Sequence, residues 1–268
     1  MSKIPLNGAN TADWKLVWSD EFDKDGLPDK SKWVYEEGFE RNQELQYYTK
    51  GRIENARAEN SVLIIEARRE KFKNAKYVPG SEKWNEKDKF SSVTAASITT
   101  QGKMDFLYGR IEVRAKLPKG MGVWPAIWML GINRPQAHWP LCGEIDIMEF
   151  VGKEPDKVYA TVHYLPQNDS KIKSNGNSLK VESPFDDFHL YALEWSEEKF
   201  DFFYDDIKYH SIPLSSFDDA EGGNPFRLPH YLLINLAIGG GWGGPLGDSV
   251  LPVRYEIDYV RFFKHKSP

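Results

Sequence analysis

The segment 109-GRIEVRAKL-117 alternates without a break, with Ile111, Val113, Ala115 and Leu117 on one side and Arg110, Glu112, Arg114 and Lys116 on the other. Successive strand side chains point to opposite faces, so a period of two marks a strand with one buried side. Comparable runs recur at 14–18, 62–67, 93–100, 158–164, 189–195, 199–205, 207–212, 231–238 and 252–263, and no long amphipathic helix interrupts them. Asp205-Asp206 sits between two such runs like a tight hairpin turn, and Gly and Pro clusters punctuate most other joins. Many short strands without βαβ spacing predict an all-β, antiparallel sandwich.

With 268 residues and 40% hydrophobic content, one domain spanning 1–268 can bury a substantial core, and neither a linker nor an internal repeat divides it. A formal charge of −5, with Lys and Arg scattered among acids, offers no basic field, which excludes nucleic acid as a partner. Cys142 is the single cysteine, so no internal disulfide forms, and with no base beside it in sequence it reads as a small packed residue. The opening MSKIPLNGANTADW has no apolar core of a leader, and no run approaches the roughly 18 apolar residues of a membrane helix. The expectation is a water-soluble chain without a membrane partner. The polar insertions 70–90, 165–180 and 215–225 are expected to be surface loops, with the lysine-rich 71–89 a solvated excursion.

One stretch breaks the period. In 143-GEIDIMEF-150, Glu144 and Asp146 share a strand face, but Glu149 falls on the opposite one. A β-bulge at Ile147-Met148 would restore the parity and bring all three acids to one face. The outer α-carbons would then lie roughly 13 Å apart, and inward-leaning glutamates could approach the roughly 5–5.5 Å carboxyl separation of a retaining glycosidase. Crowded anions raise at least one apparent pKa, so one acid can stay protonated while another is an anion. Two duller readings remain open for the bare triplet: a solvated strand face, and an oxygen site for a divalent cation.

The flanks bear on that choice. Trp124 and Trp128 in 120-GMGVWPAIWMLG-131 share a strand face, Trp139 leads into the acids, and Trp242 lies in 239-GGGWGGPLG-247. Tryptophan offers a flat apolar platform with a hydrogen-bonding N–H, which suits the C–H faces of sugars. Core packing competes with that reading for each, except that glycine neighbours leave Trp242 little side-chain cover. The glycine run lacks G-x-x-x-x-G-K-[ST], which argues against a phosphate cradle.

At this point the sequence resembles the laminarinase-like branch of glycoside hydrolase family 16, whose signature E-x-D-x-x-E is matched by Glu144-Ile145-Asp146-Ile147-Met148-Glu149. The likeness runs from 17-VWSDEFD-23 through 42-NQELQYYT-49, 108-YGRIEVRAKLPKGMGVWPAIWMLG-131, 139-WPLCGEIDIMEFVG-152, 161-TVHY-164 and 235-NLAIGGGWGG-244 to 257-IDYVRFF-263. It implies a β-jelly roll of two antiparallel sheets with a concave cleft, and endo-hydrolysis of a laminarin-type β-1,3-glucan with retention. Glu144 would be the nucleophile, Glu149 the acid/base, and Asp146 a residue that tunes or positions them. Trp124, Trp128, Trp139 and Trp242 become sugar platforms, and Asn42 and His163 hydrogen-bond partners, although His163 could equally be a satisfied strand histidine. No catalytic cofactor is implied. A structural calcium ion is, with Glu21 and Asp258 as ligands and the Gly51 carbonyl as a third. The resemblance further implies a secreted monomer whose native leader is absent from this chain. The extra Met148 argues against branches with the regular E-x-D-x-E, but mixed-linkage glucanases, agarases and carrageenases stay open, as does a non-catalytic glucan-binding protein.

Overall fold

Alternating strands need a second apolar surface to cover their buried side, and here they find it in each other. The computed structural model describes residues 13–166, 171–219 and 222–266. In chain order the strands are β1 (Trp14–Asp20), β2 (Val34–Tyr35), β3 (Gln46–Tyr48), β4 (Ala56–Glu59), β5 (Val62–Lys73), β6 (Phe90–Ala95), β7 (Ser97–Thr99), β8 (Gly109–Lys116) and β9 (Val123–Gly131). After a short helix, α1 (Arg134–Ala137), come β10 (Glu144–Glu149), β11 (Lys157–Tyr164), β12 (Lys173–Lys180), β13 (His189–Trp195), β14 (Lys199–Tyr204), β15 (Ile207–Pro213) and β16 (His230–Ile238). The helical turn α2 (Gly240–Gly243) and β17 (Val253–His265) complete the chain.

The outer sheet runs β15-β14-β13-β8-β17-β5-β6-β3, with β1 on β17 and β4 on β5. The cleft sheet runs β12-β11-β10-β9-β16-β7-β2. The strands pair antiparallel except β3 with β6, which run parallel. Ile111, Val113 and Ala115 of β8 meet Ile127 and Met129 of β9 and Ile145 of β10 in one continuous core. This is the two-sheet sandwich that the alternation predicts, in the jelly-roll form that the resemblance implies. Asp205, with φ of +49°, turns β14 into β15 where the hairpin was expected.

Three details differ from the sequence expectations. The second face of β8 is not solvated along its length: Arg110 and Glu112 are buried as an ion pair, Nε to Oε1 2.7 Å, and Arg110 also reaches Glu194 at 2.9 Å. Neighbouring strands cover that face, and only Arg114 and Lys116 reach solvent in part. The second difference is that part of the loop expected over 165–180 is strand β12, an almost wholly exposed edge that pairs with β11 through its backbone; residues 167–170 lie outside the described residues. Such an edge buries no face, so it leaves no periodic signal. Lastly, β5 runs on to Lys73, six residues past the apolar run at 62–67.

Candidate active site

The parity break in β10 is a bulge. On the β9 side Asp146 pairs with Trp128 and Met148 with Ile127; on the β11 side Asp146 pairs with Thr161 and Glu149 with Tyr159. Ile147 is the inserted residue, and both it and the adjacent Met148 sink into the core, as two consecutive side chains can only do where the pleat is broken. Glu144, Asp146 and Glu149 therefore share the cleft face. Gly143 turns the chain into β10 with φ of +76°, where a Cβ would meet the Phe226 ring at 2.7 Å, so glycine is required just before Glu144.

Burial and mutual repulsion dominate the electrostatics. Burial pushes Glu144 up to about 7, opposed by the charges of Arg41 and Arg134 and a hydrogen bond from Trp139. Glu149 is also pushed up to about 7, by burial and then by the Glu144 carboxylate, while Trp124 Nε1 donates to its Oε1 at 3.1 Å. Asp146, between them, is raised well above the usual range by burial and by both glutamates. Among the described residues no donor hydrogen-bonds Asp146 Oδ2; His163 Nε2 lies 3.4 Å away, outside hydrogen-bond geometry. Burial lowers the His163 pKa, so the ring is neutral at neutral pH and adds no cation. Its Nδ1 faces Ser174 Oγ at 2.7 Å across the β11–β12 ladder. If Ser174 donates, Nε2 carries the ring hydrogen, 3.4 Å from Asp146 Oδ2 and 4.0 Å from Glu144 Oε1.

These surroundings are asymmetric. Two guanidinium groups and the Trp139 N–H favour the anion at Glu144, whereas Glu149 feels the Glu144 charge and is eased only by the Trp124 hydrogen bond. When the pair holds one proton, it belongs on Glu149. Two carboxyl groups in opposite protonation states on one cleft face can deliver a nucleophile and a proton to the same bond.

The sequence-predicted aromatic residues divide. Trp124 and Trp242 are half-buried and meet edge to face at 5.5 Å, and Tyr159 supports Trp242 at 5.0 Å. Trp139 is 46% exposed beside Glu144. Trp128 is not an open platform: it is 7% exposed, Arg41 covers its ring at 4.9 Å, and its N–H is spent on Asn235 Oδ1 at 2.7 Å. Asn42 lies at the cleft with φ of +56°; its amide donates to Glu44 Oε1 at 3.1 Å and its carbonyl accepts from Gly241. Beneath the cleft, Tyr48, Asn235, Gln46 and Glu44 continue this hydrogen-bond network.

Sequence reasoning missed two residues. Arg41, ion-paired to Glu36 and stacked on Trp128, supplies positive charge on the Glu144 side. Trp84, from the excursion expected to be solvated, lines the cleft with Asn42, Gln43, Trp124, Gly241 and Trp242. A lone tryptophan in a lysine-rich stretch was the available signal for the second. For Arg41 there was none, because its partner Trp128 is distant in sequence.

The acids expected to hold calcium are each taken by an arginine. Arg261 clasps Glu21 through Nε and Nη2 at 2.8 and 2.9 Å, and Arg114 Nη1 lies 2.7 Å from Asp258 Oδ2. Gly51 sits on an exposed turn with φ of +60°. A cation at Glu21 and Asp258 would have to displace two guanidinium groups, so the residues as arranged do not fit the ion. Among the described residues, the group of three acid and histidine side chains with converging donor atoms is Glu144, Asp146 and His163, within 4.8 Å of one another.

Known proteins resemble this chain in both sequence and fold. The sequence model for Glycosyl hydrolases family 16 matches residues 41–261. The chain is 45% identical over 260 residues to the beta-glucanase of Rhodothermus marinus, covering 94% of this chain and 85% of that protein. The crystal structure of the laminarinase from Rhodothermus marinus superposes with a TM-score of 0.80 at 43% identity, covering 95% of this chain and 98% of that one. A structure from work on endo-acting O-glycanases, which members of the human gut microbiota express to initiate mucin breakdown, gives a TM-score of 0.88 at 43% identity, covering 94% and 91%.

Proposed function

The chain belongs to glycosyl hydrolases family 16, and from that premise we propose that it cleaves internal β-1,3 linkages of a laminarin-type glucan with retention. The observation that carries the mechanism is the bulge at Ile147, which sets Glu144 and Glu149 on one buried face with the cations on the Glu144 side. Ionised Glu144 attacks the anomeric carbon as the bond to the departing sugar breaks, and Glu149 gives its proton to the leaving oxygen. The glycosyl ester on Glu144 is then opened by water, which loses its proton to Glu149 and restores both residues. Asp146 lies between them and couples their charges. No organic cofactor enters these steps.

Two features support a neutral glucan: the net charge of −5 and the tryptophan pair Trp124 and Trp242 in the cleft. The same reading makes the protein a monomer that acts outside the cytoplasm, where such polymers are met. A structural calcium on Glu21, Gly51 and Asp258 is not carried into it, because Arg261 and Arg114 already neutralise the two acids. A second reading, endo-hydrolysis of mucin O-glycans, is favoured by the match at a TM-score of 0.88. Laminarin, lichenan, agarose, carrageenan and mucin glycopeptides, assayed side by side with product sizing, separate the two. The glucan reading expects laminarin oligosaccharides of intermediate length early in the reaction; release from mucin but not from laminarin would replace it with the second.

A further inference from the structure

The segment between β5 and β6 is a mostly exposed surface loop, as expected, but it is tied together from within. Asn74, 1% exposed at its base, sends its side-chain amide to the carbonyls of Asn85 and Asp88 at 3.0 Å each and accepts from the Lys76 N–H at 2.9 Å. Its own N–H donates to the Lys89 carbonyl at 3.1 Å. Further out, the Val78 N–H bonds the Glu86 carbonyl at 3.0 Å, and Ser81 Oγ donates to the Glu86 carboxylate at 2.8 Å. A buried asparagine tying both limbs of a loop together fixes the backbone of whatever lies between them. What lies between is Trp84.

Trp84 has one side on protein and one on the cleft. Its ring meets Phe39 edge to face at 5.9 Å, Phe39 meets Tyr47 at 5.6 Å, and Tyr47 meets Phe72 at 5.2 Å, an aromatic chain that leads back to β5. On the other side it walls a cavity of about 470 Å³ with Trp124 and Trp242, within the usual ~300–1,000 Å³ of small-molecule sites. The rim is polar: Asn42 and Gln43 are both exposed there, each with a left-handed backbone. Apolar rings on the walls and amides at the rim match a pyranose, which presents C–H faces and a girdle of hydroxyls. Trp124 links this cavity to the chemistry, because its N–H holds Glu149 while its ring lines the same space.

We propose that Trp84 is a specificity-determining residue: the 74–89 loop presents it as a fixed wall that binds a sugar unit of the substrate chain beyond the unit being cleaved, at the Glu149 end of the cleft. The inference rests on the reading of this cleft as a glycan site and adds a length requirement to it. A wall fixed before binding loses little conformational entropy when the sugar arrives, so its contact is realised mostly as affinity.

The test is a ladder of oligosaccharides of increasing length, prepared from whichever glycan the wild-type protein hydrolyses. It compares kcat/KM for wild type, Trp84→Ala, Trp84→Phe, Asn74→Ala and, as a loop control, Lys87→Ala. Trp84→Ala should lose on the order of tenfold on the longest members and about twofold on the shortest, mostly through KM. Trp84→Phe should recover most of that loss, Asn74→Ala should reproduce it, and Lys87→Ala should follow wild type. An equal loss at every length, or a lowered melting temperature with an unchanged ladder, would overturn the proposal and leave Trp84 a loop-packing residue. The same comparison in a Glu144→Gln background, read as retardation in gels containing laminarin or mucin, needs no turnover. Cleavage of mucin alone would therefore displace the glucan reading without touching Trp84, and retardation equal with and without Trp84 would remove Trp84 without touching the glucan reading.

Discussion

Glu66 on the outer sheet and Asp146 on the cleft sheet are equally buried, at 3% exposure each, in opposite electrostatic surroundings. Glu66 is ringed by Arg57 Nη2 at 3.0 Å, Arg254 Nε at 3.1 Å and the Arg68 guanidinium. Asp201, elsewhere on the outer sheet, follows the same rule: burial opposes ionisation, but Lys199, Ser211 and Lys208 together hold its pKa below the usual value. Asp146 has two more carboxylates for neighbours and, among the described residues, no lysine or arginine paired with it. A fold that supplies cations to Glu66 and Asp201 and leaves Asp146 among carboxylates is spending stability at the second site. Such concentrations of raised pKa mark functional sites more often than structural ones.

The largest test of that contrast is turnover. Replacing Glu144 with Gln removes the nucleophile while keeping its shape, and kcat should fall on the order of 10⁴-fold or more; a fall below about tenfold would place the chemistry elsewhere. Next is stability on the outer sheet. Glu66→Ala leaves three arginines facing each other, and with two of them partly solvated the cost should be about 2 kcal/mol, read as a loss of several degrees in Tm.

The cleft should answer with the opposite sign. The pKa of Glu149 in the folded protein, about 7, lies above the ordinary glutamate value of 4.5. Its burial therefore costs nothing below pH 4.5, costs increasingly as pH rises through 7, and costs fully above it. Glu149→Gln should thus raise Tm at pH 8, by on the order of 1–3 kcal/mol in stability, and leave it unchanged near pH 4. A gain at pH 4 as large as at pH 8 would mean that charge is not the cause. The smallest effect expected is on the pH profile. Arg41 favours the Glu144 anion, so Arg41→Met should raise the Glu144 pKa and move the acid limb of kcat/KM to higher pH, by about half a unit to one unit. Arg41→Lys should restore part of that shift. A loss of activity in Arg41→Met with an unmoved limb would reduce Arg41 to packing on Trp128.

How much of this was legible in the sequence depends on how local the cause is. The sandwich followed from alternation, and the bulge from one misplaced carboxylate, since parity is a property of consecutive residues. The role of Trp128 was not legible, because the Arg41 that covers it comes from another element. Burial of Arg110 and Glu112 depends likewise on β13 and β17, the strands flanking β8, and the arginines on Glu21 and Asp258 on pairings made only in the fold. Trp84 was hidden by composition: the charged residues around it do face solvent, and only the ties from Asn74 turn its ring inward.

The central claim, that the bulge places Glu144 and Glu149 in one cleft with Glu144 as the anion, is tested most directly by trapping the covalent intermediate. A 2-deoxy-2-fluoro glycoside of the preferred oligosaccharide slows ester hydrolysis more than its formation, and mass spectrometry of the digested protein locates the adduct. The account predicts a glycosyl ester on the peptide containing 143-GEIDIMEF-150, at Glu144. An adduct at Glu149 would reverse the assignment of anion and acid, and inactivation without an adduct on this strand would contradict the mechanism.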